Sequence, residues 1–152
     1  MNYHTLQQPQ RIIGMAFRTS NDTADQDIPA YWQQVMGGQK LDGISGRLDD
    51  AVYAVYTEFS HPGVDNIGPY TYVIGVAVTD DAPVPDGLQA FTLPAARYAV
   101  FDVPSGRPEH VGERWREIWN WNDARKAYRC DFERYRQQAD GRCDIAIHVG
   151  IH

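Results

Sequence analysis

The chain has 152 residues and a formal charge of −6, with fourteen basic residues of which only two, Lys40 and Lys126, are lysines. A net negative chain without a basic run is a poor candidate for gripping phosphate backbones, which argues against direct nucleic-acid binding. No apolar run approaches membrane-spanning length and "MNYHTLQQPQ" has no signal-peptide pattern, so no membrane partner is expected and the expected compartment is cytoplasmic.

In chain order, "RIIGMAFRTS" is predicted as a strand, followed by turn-rich "NDTADQ". "DIPAYWQQVMGG" then reads as a short helix, capped by Asp27, with Pro29 in its first turn and Gly37-Gly38 at its end. "LDDAVYAVYTEFS" and "YTYVIGVAV" follow as strands around the turn-forming "HPGVDNIGP". After the Asp- and Pro-rich "TDDAPVPDG" the order returns. "LQAFTLPAARYAVFDV" is extended and interrupted at Pro94, and "RPEHVGERWREIWNW" is a helix with Val111, Trp115, Ile118 and Trp119 near helical spacing. "CDFERYR" and "CDIAIHVGI" close the chain as a hairpin around an Asp-Gly turn. The reading is one domain, 1–152, of two similar α+β halves, about 1–80 and 86–152, each strand-helix-strand-strand.

With "ADGR" as a two-residue turn, Ala139 faces Arg142 and Cys143 faces Gln138, well away from Cys130. Both cysteines are therefore expected as thiols. The same register sets Glu133 opposite His148 and Tyr135 opposite Ala146, with Phe132, Ile145, Ile147, Val149 and Ile151 on the other, core face. In the first half, "YAVYTEF" aligned on "CDFERYR" puts Tyr56 level with Glu133 and Glu58 level with Tyr135. "VIGVAV" aligned on "AIHVGI" sets Val73, Gly75 and Ala77 level with Ala146, His148 and Gly150. Each half thus offers one tyrosine and one carboxylate beside a strand of small residues, which leave room for an approaching group. Parity alone leaves two readings of Glu133 open: a residue on a solvated sheet face, or an acid in an aromatic site. His148 reads as a neutral histidine near Glu133. The five histidines never pair at metal-ligand spacing, and no Walker loop, dinucleotide fingerprint or Gly-x-Ser-x-Gly elbow is present, so neither metal nor cofactor is expected.

Taken in order, "IPAYWQQV", "VYAVYTEF", "GPYTYVIGVAV", "ARYAVFDV", "WREIWNW", "AYRCDFERY" and "DIAIHVGI" resemble the GyrI-like effector-binding domains, also fused to AraC-type and MerR-type transcription regulators. The chain is most similar in character to the free-standing, integron-associated members. That resemblance implies an α+β fold of duplicated β-α-β-β units with pseudo-twofold symmetry, a curved antiparallel sheet, two helices and a central ligand groove. It also implies binding of lipophilic cations by a buried glutamate ringed by aromatics. Carried over, the glutamate is Glu133 and the aromatic wall Tyr56, Tyr135, Trp115 and Trp119. Ala146 stands where relatives often place a tyrosine, implying a roomier wall. Glu58 is an additional acid without a family counterpart.

The expected function is non-catalytic binding of a small lipophilic or cationic organic molecule, for sequestration or sensing. A transcription-regulator partner acting in trans and a homodimer both remain compatible with the sequence. Two alternatives follow from the same resemblance. One is hydrolysis of electrophilic natural products with Glu133 as general base, against which there is no activated nucleophile in the sequence. The other is gyrase-type protein inhibition, against which the acids are scattered.

Overall fold

Each helix connects two strands that run parallel to one another, and a third strand lies between them, so the sheet pairs its strands antiparallel. The computed structural model describes residues 2–121, 123–138, 140 and 143–152. These form strands β1 (Asn2–Leu6), β2 (Gln10–Thr19), β3 (Val52–Thr57), β4 (Tyr70–Ala77), β5 (Gln89–Leu93), β6 (Ala96–Asp102), β7 (Lys126–Gln137) and β8 (Cys143–Ile151). Two helices, α1 (Ala24–Gly37) and α2 (Val111–Asn120), complete the set. All eight strands join one curved, unclosed antiparallel sheet in the order β1-β6-β8-β7-β3-β4-β2-β5. The class is α+β, as expected.

The order contains the duplication. β2-α1-β3-β4 and β6-α2-β7-β8 are the two halves, joined where β3 pairs with β7. The outer strands are exchanged, since β1 from the start of the chain pairs with β6 and β5 pairs with β2. β1, "NYHTL", lies where no element is predicted; it is an exposed edge strand without apolar alternation to announce it. No helix among the described residues is long and apolar enough to cross a membrane.

Both helices cover the same face of the sheet. Val35 of α1, with Ile28 and Trp32 beside it, packs on Ile13, Ala54, Tyr72, Ile74 and Val76. Val111 and Ile118 of α2 pack on Ala99, Phe101, Ile145, Ile147 and Val149. Tyr135 touches both groups and so marks the seam. The opposite face buries Ile12, Tyr53, Val55, Val73, Tyr98, Cys130 and Phe132.

Three local expectations are corrected. Helix α1 begins at Ala24 and carries Pro29 in its interior, so Asp27 is not its cap. Asp27 lies within the helix and its Oδ2 accepts hydrogen bonds from the hydroxyls of Thr19 (3.0 Å) and Thr23 (2.8 Å), tying the helix start to the end of β2. The β7–β8 register is one residue away from the two-residue-turn reading, because Gln137, not Gln138, pairs with Cys143. Of that turn, Ala139, Gly141 and Arg142 lie outside the described residues. A one-residue slip exchanges faces, so Glu133 pairs with Ile147 and Phe132 with His148. The two halves also superpose differently along their last strands. Val55 pairs with Val73 as Phe132 pairs with His148, so Val73 corresponds to His148 and not to Ala146. Cys130 and Cys143 are both free thiols.

Gly14 and Gly75 pair directly across β2 and β4. A Cβ on Gly14 would run into the Ile74 carbonyl, and one on Gly75 into the Ile13 carbonyl, both backbone atoms that cannot step aside. Gly14→Ala is therefore expected to destabilise the chain by about 1–3 kcal/mol, read as a lowered urea midpoint. An unchanged midpoint would show that the two strands separate without cost.

Candidate functional site

Helix α1 and helix α2 leave between them, above the centre of the sheet, a cavity of about 700 Å³. That size suits a drug-sized organic molecule. Its floor is the β3–β7 seam. Glu133 and Tyr135, two apart on β7, share its face as strand alternation requires. Directly opposite Glu133 stands Ala54, whose small side chain leaves the space above it clear. Tyr56, two residues along β3, reaches diagonally over that space. Trp32 and Trp115 come down from the two helices at the same helical spacing that places Val35 and Val111 in the core.

The Glu133 carboxylate is the point on which these groups converge. The Tyr56 hydroxyl donates to Oε2 at 2.5 Å, the Trp115 indole N–H donates to Oε2 at 2.6 Å, and the Tyr135 hydroxyl donates to Oε1 at 2.5 Å. Glu133 is 1% exposed. Among the described residues no Arg or Lys forms an ion pair with it. Three bonds to a charged acceptor contribute about 1.5–3 kcal/mol each, while removing a carboxylate from water costs several kcal/mol and more without a counter-ion. Desolvation wins: the Glu133 carboxyl is pushed up from its ordinary value although all three donors pull it down. Burial and the nearby carboxylate together push the Tyr56 and Tyr135 phenols well up, so both remain hydrogen-bond donors.

The rings form a continuous wall. Tyr56 lies edge-on to Tyr72 (5.1 Å between centroids) and to Trp115 (5.2 Å), and Trp32 lies edge-on to Tyr135 (4.9 Å). The Trp32 N–H donates to the Tyr72 hydroxyl at 2.7 Å, linking α1 to β4. Trp119 also lines the cavity and is 48% exposed, the outermost of its tryptophans.

Of the residues expected from sequence, Glu133, Tyr56, Tyr135, Trp115 and Trp119 line this cavity, and Glu58 and His148 do not. Glu58 follows the last residue of β3 with a φ of 53°, so strand alternation has ended there. It is exposed, and its Oε1 accepts the Thr71 hydroxyl at 2.5 Å. His148 is on the opposite face, its ring stacked on Phe132 at 4.3 Å. Burial pushes it down to about 4, so it is neutral, but it is not beside Glu133. Ala146 shares the face of His148, so it widens no wall of this cavity. The small residues Val73, Gly75 and Ala77 likewise face away from Tyr56, which pairs with Tyr72.

Sequence reasoning missed Tyr70, Tyr72, Trp32 and Asp131 as lining residues. Tyr70 and Tyr72 carried a usable signal, two aromatics of one parity in "PYTYV", but the register needed to bring them to Tyr56 is not local. Asp131 precedes Glu133 by two on β7 and is equally buried from solvent, with burial pushing its carboxyl up to about 7 against the pull of the Gly150 N–H and Lys126.

A duplicated antiparallel α+β unit holding an aromatic, acid-bearing cavity is a binding domain for small organic molecules. The chain belongs to the Cass2 family of integron-associated effector binding proteins, whose family model matches residues 7–151. It is 31% identical over 151 residues to YobU of Bacillus subtilis (strain 168), a protein named as a candidate transcriptional regulator; the match covers 93% of this chain and 92% of YobU. The fold is shared with an integron cassette protein from the mobile metagenome of Vibrio cholerae, at a TM-score of 0.72 and 20% identity over 99% of this chain and 95% of that one. It is shared equally with SAV2435 in its complex with tetraphenylphosphonium, at a TM-score of 0.73 and 18% identity over 100% of this chain and 94% of that one.

The raised carboxyls have a consequence for stability. Unfolded Asp and Glu titrate near 4, whereas folded Asp131 titrates at about 7 and Glu133 is also raised. Between those values Asp131 in the folded chain holds a proton that the unfolded chain has lost, so its contribution falls as pH rises from about 4 to about 7, and the raised Glu133 acts in the same direction. For Asp131 the loss is on the order of a few kcal/mol. His148, pushed down, works in the opposite direction from about 4 to about 6.5. The informative quantity is therefore the difference between variant and wild type. Asp131→Asn is expected to gain stability relative to wild type across that window, measured by denaturant titration at several pH values. Parallel wild-type and variant profiles would refute it.

Proposed function

We propose that the chain is a non-catalytic binding protein for lipophilic organic cations, held by Glu133 against the aromatic wall. The single observation behind this reading is the buried Glu133 carboxylate, with three aromatic donors and no ion-pair partner among the described residues, open to a cavity large enough for a drug-sized ligand. An entering cation supplies the missing counter-charge, and its own desolvation is offset by ring faces worth roughly 0.5–2 kcal/mol per good contact. Rings supply area for flat or bulky hydrophobes of varied shape, and the one acid selects charge. The lining carries four acids, Asp25, Glu109, Asp131 and Glu133, against two bases, Arg116 and Lys126, a balance that favours the same sign. The membership in an effector-binding family and the shared fold with a tetraphenylphosphonium complex support this reading. The role is sequestration or sensing, in the second case with output through a separate regulator.

Trp32, Trp115 and Trp119 line the cavity, so ligand entry should quench intrinsic fluorescence. Titration with tetraphenylphosphonium should give saturable quenching, while the neutral triphenylphosphine oxide should bind far more weakly. Glu133→Gln, which keeps the size of the side chain, should weaken the cation by more than about tenfold, or ~1.4 kcal/mol. Equal binding of the charged and neutral compounds, indifferent to the substitution, would sink the proposal.

A further inference from the structure

Asp131 is a second buried carboxylate in the same cavity, and Glu133 does not account for it. It is 8% exposed, stands opposite Tyr56 across the β3–β7 seam, and lines the cavity together with Lys126, Tyr128 and Val149. The β7–β8 pairing is irregular between Lys126 and Asp131. Within that stretch Tyr128 takes a φ of 52°, a conformation uncommon for any residue but glycine. Bulges of this kind re-aim side chains, and here the Tyr128 side chain becomes part of the cavity lining. The irregular ladder also leaves the Gly150 N–H to donate to Asp131 Oδ1 at 2.9 Å. Among the described residues no donor reaches Asp131 Oδ2.

Lys126, in the same lining, pulls the Asp131 carboxyl down without pairing with it. Lys126 turns its ammonium to the Ile118 carbonyl at 2.9 Å, with the Trp121 ring at 5.5 Å, and forms no ion pair with Asp131. A half-satisfied acid therefore sits in an aromatic cavity beside Glu133, which holds three donors. Two residues on one face of a strand stand roughly 7 Å apart.

We propose that Asp131 forms a second acidic subsite, and that the preferred ligands are amphipathic diamines with one protonated nitrogen at Glu133 and the other at Asp131. The inference rests on the cation-binding reading above and narrows it from monocations to compounds with a second basic nitrogen. The spacing suits a linker of about four or five carbon atoms between the nitrogens. The carboxylate oxygen left without a donor accepts the second ammonium, with Tyr128 in the same lining.

The test compares naphthylmethyl-butylamine, which carries one charge, with naphthylmethyl-putrescine, which carries two across a four-carbon linker, by fluorescence titration at pH 8. Wild type is expected to prefer the diamine by about tenfold or more. Asp131→Asn should abolish that preference by weakening the diamine far more than the monoamine, and Glu133→Gln should weaken both compounds. A linker series on wild type needs no variant: shortening the diamine to the ethylenediamine analogue should lose the preference, because it cannot span the two acids. Glu133-dependent monoamine binding without a diamine preference, or a preference that survives Asp131→Asn or ignores linker length, overturns this inference and leaves the cation site standing. Failure of the monoamine to bind, or its indifference to Glu133→Gln, overturns both.

Discussion

A carboxylate taken out of water, with no counter-cation paired to it among the described residues, is the constraint around which this molecule is arranged. The cost is several kcal/mol, and three separate elements lower it. Strand β3 contributes the Tyr56 hydroxyl, helix α2 the Trp115 indole, and β7 itself the Tyr135 hydroxyl. None of these donors is charged, so they soften the penalty without cancelling it, and the Glu133 carboxyl remains raised. An apolar residue at the same place would pack more cheaply. The electrostatic deficit is thus a standing feature of the folded chain, and the cavity above it is where a positive group would relieve it.

Duplication explains how the donors come to meet the acid. The halves are joined along β3 and β7, where Val55 pairs with Phe132. If those two residues are taken as equivalent, Tyr56 in the first half corresponds to Glu133 in the second. Equivalent positions on either side of a twofold seam are diagonal neighbours. One copy of the repeat therefore supplies the acceptor and the other a donor, and they bond at 2.5 Å across the axis. The direct neighbour of Glu133 across the seam is Ala54, too small to fill the space above it. Symmetric backbone and asymmetric side chains together open a site that neither half holds alone. The helices follow the same logic: each buries one stripe against its own half, and the gap between them lies over the seam.

The second acid has a different origin. Asp131 is held not by aromatic donors but by the Gly150 N–H, in a stretch where the β7–β8 ladder is irregular. A regular hairpin would spend that N–H on backbone pairing. Both acids stand on the β3–β7 seam, Glu133 opposite Ala54 and Asp131 opposite Tyr56, and burial pushes both carboxyls up.

Much of this was legible in the residues, and the part that was not has a common cause. Helices and strands follow from local periodicity and turn chemistry, so the two halves, the break at Pro94 and the α+β class were readable, apart from the polar edge strand β1. Within a strand, alternation is a property of the backbone, so Glu133 and Tyr135 had to share a face that excludes Phe132. Between strands nothing local sets the register. Pairing Cys143 with Gln137 and not with Gln138 moves His148 and Ala146 away from Glu133 and brings Ile147 beside it. Tyr72 reaches Tyr56 by pairing, and Trp32 reaches Tyr135 because α1 packs on the same face as α2. The sequence by itself determined which elements exist and which side chains travel together on each. Only the tertiary structure decided which faces meet, because that depends on connection lengths, a ladder irregularity and helix packing, none of which is encoded within a single strand.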